Sequence, residues 1–175
     1  MGLTAETITG AAGIGVALTE MLLKDVTPET FARQPVKDGE LIQTNHPAFI
    51  LGHLCLYPAK IRELAGQDAG DCAMPAAFGD LFSAGVECRD DTEGSIYPAM
   101  DDIVPRFQAG HVKAFEFVGS LSEDDLAAPH HGPDKYKQMF PTLGVMTNFM
   151  LTSHVMMHLG QFSAWRRCMG LGPVM

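Results

Sequence analysis

The sequence predicts an all-α fold, a four-helix bundle built by a single domain over residues 1–175. Three observations carry that expectation. Four segments repeat apolar residues at the three- and four-residue spacing of one helix face. No segment alternates apolar and polar residues as a half-buried strand does, and no internal repeat or low-complexity tract interrupts the pattern. With 175 residues and 46% hydrophobic content, the chain can bury one sizeable core and suits one domain better than two.

The first helix is expected from Ala5 to Asp25, with Ile8, Ala11, Ala12, Leu18, Met21 and Leu22 near a common stripe. Gly10, Gly13 and Gly15 weaken it, each costing about 1 kcal/mol against alanine, so either a neighbour packs closely there or the helix begins later. Thr27-Pro28-Glu29-Thr30 reads as a short capped turn with proline at the first helical position, followed by a loop from Gln34 to Gly39. The second helix is expected from Pro47 to Ala65, with Asn45 as its cap and Phe49, Ile50, His53, Tyr57, Ile61 and Leu64 on its inward face. Pro58 should kink it, because the proline ring crowds the carbonyl of Leu54. Gly66 to Ser95 reads as a long excursion holding a short helix around Ala76 to Ser83.

The third helix, from Tyr97 to Gly119, buries Ile103, Phe107, Ala114, Phe115 and Val118, with Pro105 as a local irregularity. Ser122-Glu123-Asp124-Asp125 starts a turn or short helix, and the segment from Pro129 to Lys135 is a loop by its two prolines and its glycine. Thr142 caps the fourth helix, which runs to Met169 and stops at Gly170, Gly172 and Pro173. Its inward stripe is Met146, Met150, His154, His158, Gln161 and Trp165. Met146, Met150, Met156 and Met157 read as core filling.

The chemistry lies in the histidines. His154 and His158 are four residues apart, which puts both imidazoles on one helix face, one turn apart, where they can bind the same ion. His53 adds a third imidazole on the apolar face of the second helix. An isolated helix-face histidine is usually a hydrogen-bonded core residue, but three buried together leave several nitrogens without partners, at about 1 to 3 kcal/mol for each unmet group. A bound cation satisfies three at once. Three neutral imidazoles with open positions suit zinc, nickel or ferrous iron, and the lack of a thiolate pair argues against a closed structural zinc site. Gln161 lies within reach of His158 as an outer partner or as an ordinary buried amide. His111 is a candidate fourth ligand or acid/base group, with an unpartnered helix-face histidine as the plainer reading; His130 and His131 are placed in a solvated loop.

Charge and templates narrow the alternatives. With 12 basic against 21 acidic residues the formal charge is -9, which gives no attraction to phosphate backbones or anionic lipid. Arg166 and Arg167 stand where they would complement the dipole at the end of the last helix. The four cysteines include no C-x-x-C pair and are read as reduced thiols of a cytoplasmic protein. Glu6 and Glu20 argue against an export signal, and no run approaches the roughly 20 apolar residues that span a bilayer. A nucleophile elbow, a P-loop and a dinucleotide fingerprint are missing, and Val155 stands where a zincin carries its glutamate.

Asn45-His46-Pro47-Ala48-Phe49-Ile50-Leu51-Gly52-His53-Leu54 resembles the second-helix motif of the DinB-like superfamily, and His154-Val155-Met156-Met157-His158-Leu159-Gly160-Gln161 with Arg166-Arg167 resembles its last-helix motif. The resemblance spans nearly the whole chain. It implies a four-helix bundle with an up-up-down-down path, a metal held by His53, His154 and His158, and a homodimer. The chain departs from the commoner pattern at Val155, where many members carry an acidic residue or glutamine. Members with known activity include thiol-dependent S-transferases and a mycothiol-dependent maleylpyruvate isomerase.

The expected function is therefore that of a metal-dependent enzyme whose ion activates a low-molecular-weight thiol cosubstrate, or water, toward a small-molecule substrate. Its cleft should be walled by the 66–95 excursion and the 129–140 loop, with Tyr57, Tyr136 or His111 available for proton transfer. The alternatives are a non-catalytic metal-binding or stress-response bundle with a structural ion, and an interaction module whose histidines hold no ion.

Overall fold

In the computed structural model, which describes residues 1–174, the apolar stripes become four long helical segments. The first is α1 (Leu3–Leu22); after it come α2 (Pro28–Phe31) and a two-residue hairpin of β1 (Val36–Lys37) and β2 (Glu40–Leu41). The second segment is α3 (Pro47–Leu54) and α4 (Tyr57–Leu64), followed by α5 (Ala76–Phe82). The third is α6 (Met100–Ser120), after which come α7 (Glu123–Ala127) and α8 (Asp134–Lys137). The fourth joins α9 (Leu143–Asn148) to α10 (His154–Cys168) through a wide turn over Phe149–Ser153.

Local chemistry accounts for the boundaries. Pro58 does interrupt the second segment: α3 ends at Leu54, and α4 restarts with Pro58 in its first turn, where its missing N–H costs nothing. The cap of α3 is His46 rather than Asn45, its ring nitrogen accepting the N–H of Phe49. Thr142 accepts the Val145 N–H as expected. The helix α6 runs unbroken through Pro105. The hairpin falls in the segment read as a loop; Asp38 and Gly39 both have positive φ, the conformation a two-residue hairpin turn needs.

The helix α1 begins at Leu3, earlier than expected, and its three glycines differ. A Cβ at Gly15 would lie 3.0 Å from Val155, so a close approach to α10 explains that one. Gly10 and Gly13 face open space. The buried stripe runs Ala5, Ile8, Ala12, Gly15, Thr19 and Leu22, and Thr19 satisfies its hydroxyl on the Gly15 carbonyl; Ala11 and Met21 turn outward. Met156 and Met157 are also exposed, so they are not core filling, whereas Met146 and Met150 are.

Residue pairs fix the direction of each segment. Glu20 meets Gln108 and Met1 meets Gly119, so α1 and α6 are antiparallel. Cys55 meets Ile103, Pro58 meets Gly110 and Arg62 lies over Phe117, so the second and third segments are parallel. Asn45 bonds Gln161 while His53 sits beside His154, and Gly15 meets Val155 while Leu22 meets Arg166. The path is thus up-down-down-up, which corrects the up-up-down-down path implied by resemblance. The reason is the connection from α4 to α6: it is long enough to return along the bundle and start the third segment at the same end as the second.

That connection is anchored by carboxylates. Asp90 takes two hydrogen bonds from Arg33, at 2.8 and 3.1 Å, and the Gln34 N–H; Asp91 accepts the N–H groups of Ser95, Ile96 and Tyr97. Arg166, expected at the end of its own helix, is buried and instead donates to the carbonyls of Leu22, Lys24 and Gly172, closing the C-terminal end of α1.

Two histidines outside the site couple the fold to acid. Burial lowers His46 and His111 to about 4, against an ordinary value near 6.5. The unfolded chain takes up these protons below about pH 6.5 and the folded chain only near 4, so stability is full above 6.5 and is lost on acidification toward 4. Each group changes stability by at most about 1.4 kcal/mol per pH unit in that window. Urea titrations of metal-free protein at neutral pH and at about pH 5 should show a lower midpoint in acid; an unchanged midpoint would contradict this assignment.

Candidate metal centre and cleft

The central cluster joins the second and fourth segments, which run antiparallel past each other. His53 lies in the last turn of α3, and His154 and His158 occupy the first two turns of α10. In a regular α-helix, residues spaced by four drift by about 40° around the axis. The wide turn before His154 removes this drift, because the His154 N–H bonds the Phe149 carbonyl five residues back. Met146, Met150, His154 and His158 consequently all face inward.

The three imidazoles are buried and present ligand nitrogens that lie within 4.8 Å of one another. Each outer nitrogen sets the role of the inner one. His53 Nδ1 donates to the Phe82 carbonyl at 2.7 Å, which leaves Nε2 as a bare lone pair. His158 Nδ1 donates to Gln161 Oε1 at 3.0 Å, and that same oxygen accepts from the Asn45 amide at 3.1 Å. His158 Nε2 is then 3.1 Å from His154 Nε2. Nitrogens bound tetrahedrally to one zinc stand about 3.3 Å apart, so this spacing fits shared coordination.

Protons fill the cluster poorly. His154 Nδ1 is buried with no hydrogen-bond partner among the described residues, so moving its proton to Nε2 relieves the contact with His158 but leaves Nδ1 unsatisfied. Burial, and after it the neighbouring imidazoles, bring His154 down to about 3 and His158 to about 4; His53 is lowered by burial too. All three are neutral at pH 7, the form that binds a cation. The donor set, three neutral nitrogens with no carboxylate or thiolate, fits a borderline transition metal better than calcium or magnesium.

A cleft of about 590 Å³ opens beside His53 and His154. Ser83 and Ala84 of the excursion form one wall, and Pro133, Lys135, Tyr136 and Phe140 form another, as the sequence led us to expect. A second opening, of about 320 Å³, reaches the cluster past Asn45, Phe49 and Val86. Tyr57 borders both; its hydroxyl lies 3.2 Å from His53 Nε2 and donates to it, and burial raises its pKa, so it is a protonated phenol at neutral pH.

The remaining sequence candidates sort cleanly. Gln161 takes the outer role against His158, and Tyr136 lines the cleft. His111 is outside both: its Nδ1 donates to the Phe107 carbonyl and its Nε2 is buried without a partner among the described residues. His130 is not in solvent. It is buried, and its Nδ1 accepts the Gly132 N–H in a loop pinned by the His131 N–H on the Leu64 carbonyl; His131 itself is exposed. Val155 faces Gly15 on α1 and has no part in the cluster. Cys55 is buried and pushed up to about 12, which removes it as a nucleophile. Asn45 and the Phe82 carbonyl were missed: Asn45 was read as a helix cap, and a backbone acceptor leaves no mark in side-chain spacing.

Gln161→Leu should weaken metal binding about ten- to hundredfold while preserving the helix, because His158 loses the acceptor that fixes its tautomer. Competition with a chromogenic chelator would read this; affinity equal to the parent would show that Gln161 does not orient His158.

No curated protein matches the chain. The sequence model of the DinB superfamily matches residues 15–162, a span containing both halves of the histidine cluster. On that match, the chain belongs to the DinB superfamily.

Proposed function

We propose that His53, His154 and His158 hold a divalent transition metal and that the chain is a metal-dependent enzyme acting on a small molecule with a low-molecular-weight thiol, or water, as its nucleophile. The observation that carries this reading is that the clustered histidines themselves line openings to solvent, His53 and His154 the larger one and all three the smaller. An ion held by three imidazoles keeps an open position and acidifies a thiol or water near neutral pH.

The chain's own groups supply the rest. Phe82 and Gln161 hold His53 and His158 with their lone pairs inward. Tyr57, protonated and next to His53, is placed to donate to charge that develops at the reacting atom. The two openings on either side of Tyr57 give room for two reactants to approach one centre.

The test is turnover. Protein loaded with zinc, nickel or ferrous iron should catalyse transfer of a low-molecular-weight thiol, or hydrolysis, to a panel of electrophiles, lose activity with chelator and regain it with metal. Metal-loaded protein that is inactive across the panel, but whose thermal midpoint collapses on chelation, would favour the structural ion instead.

A further inference from the structure

The 590 Å³ cleft has a chemistry of its own. Leu56, Leu64, Phe140, Met146, Phe149 and Met150 make its interior apolar. Its charged side chains are Lys60 and Lys135; none of the described residues lining it is aspartate or glutamate. In a chain with 21 acidic and 12 basic residues, a wall that carries two cations and no carboxylate runs against the overall charge. Lys60 shares its charge with Glu63 one turn along α4, at 3.1 Å, whereas Lys135 lies over the Tyr136 ring at 4.9 Å and has no carboxylate partner among the described residues. Among the described residues no arginine lines the cleft, so the planar double donor that suits phosphate is missing, while a single carboxylate is within the capacity of two ammonium groups.

We infer that this cleft binds an organic carboxylate with an apolar, aromatic-sized body, the body lying among Phe140, Phe149 and Met150 and the carboxylate facing Lys60 and Lys135. Resting on the metal-dependent reading above, this names the substrate class: the body reaches inward to His53 and His154, and the carboxylate stays at the lysine-bearing mouth. Exposed lysines act at a distance and are screened by salt, so they add selectivity for charge, while apolar contact supplies most of the affinity.

The experiment compares phenylbutyrate with phenylbutanol by calorimetric titration at low ionic strength, using zinc-loaded parent, the Lys60→Met/Lys135→Met variant and His154→Ala protein. The expected result is a preference of about five- to tenfold for the carboxylate in the parent, its loss in the double lysine variant, and unchanged binding of the alcohol in that variant. Equal affinities in the parent, or a preference that survives loss of both lysines, would overturn the inference. The zinc content of the parent is measured separately and decides the metal reading alone. A lysine-dependent preference that persists in His154→Ala protein supports the cleft assignment even if that reading fails.

Discussion

His158→Ala protein is expected to lose metal binding to a far greater degree than the Gln161→Leu variant, more than about a hundredfold in affinity. His158 is the link between the proposed ion site and its outer support: its Nε2 stands 3.1 Å from that of His154, and its Nδ1 donates to Gln161 Oε1, the oxygen that also accepts from Asn45. Removing it leaves two nitrogens on different segments, His53 and His154, whose rings are 5.3 Å apart. The folded metal-free protein should gain slightly or stay unchanged in stability, because the substitution also ends the unfavourable contact between two neutral imidazoles. Equilibrium dialysis with zinc, alongside urea titration, measures both. Full zinc occupancy in the variant would place the ion elsewhere.

Trp165→Ala is expected to destabilise the protein by about 3 to 5 kcal/mol, the cost of deleting a fully buried large aromatic. Trp165 is completely buried, packs against Phe162, and donates its indole N–H to the Arg33 carbonyl at 2.7 Å. Arg33 in turn holds Asp90, so this one side chain ties the last helix to the excursion that walls the cleft. In a chain of this length the thermal midpoint should fall by about 10 °C. Trp165→Phe keeps much of the packing and loses only the hydrogen bond, so it should cost about 1 to 3 kcal/mol. If the two variants unfold at the same denaturant concentration, packing at Trp165 is not the dominant contribution.

The parts of the fold that were legible are those where one physical signal dominates. Apolar spacing identified the four segments, proline chemistry placed the break before Tyr57, and four-residue spacing paired His154 with His158. Segment directions were not legible, because they depend on how a connection runs over the surface. That connection is held by Asp90 and Asp91 through backbone N–H groups, contacts with no periodicity to read. His130 shows the same limit: a polar, proline-flanked stretch suggests solvent, yet the loop folds back on Leu64 and buries the ring. Met156 and Met157 fail for a different reason. The buried face of α10 runs through His154, Val155, His158, Leu159, Phe162 and Trp165, and Met156 and Met157 fall on the opposite side, outward whatever their hydropathy.

The cluster was legible as a candidate metal site, but the orientation of its rings was not. Three histidines on two helices could have been three separate core residues, as His46 and His111 prove to be. What makes the difference is orientation. The Phe82 carbonyl and the Gln161 amide hold the outer nitrogens of two rings, so that the inner lone pairs converge.

X-ray absorption at the metal edge of zinc-loaded protein reads the ligands of the ion itself. A three-histidine centre gives about three imidazole nitrogens at roughly 2.0–2.1 Å with one further light ligand, and the imidazole scattering weakens in the His158→Ala variant. A shell dominated by oxygen, a sulfur ligand near 2.3 Å, or a spectrum unchanged by His158→Ala would contradict a three-histidine centre.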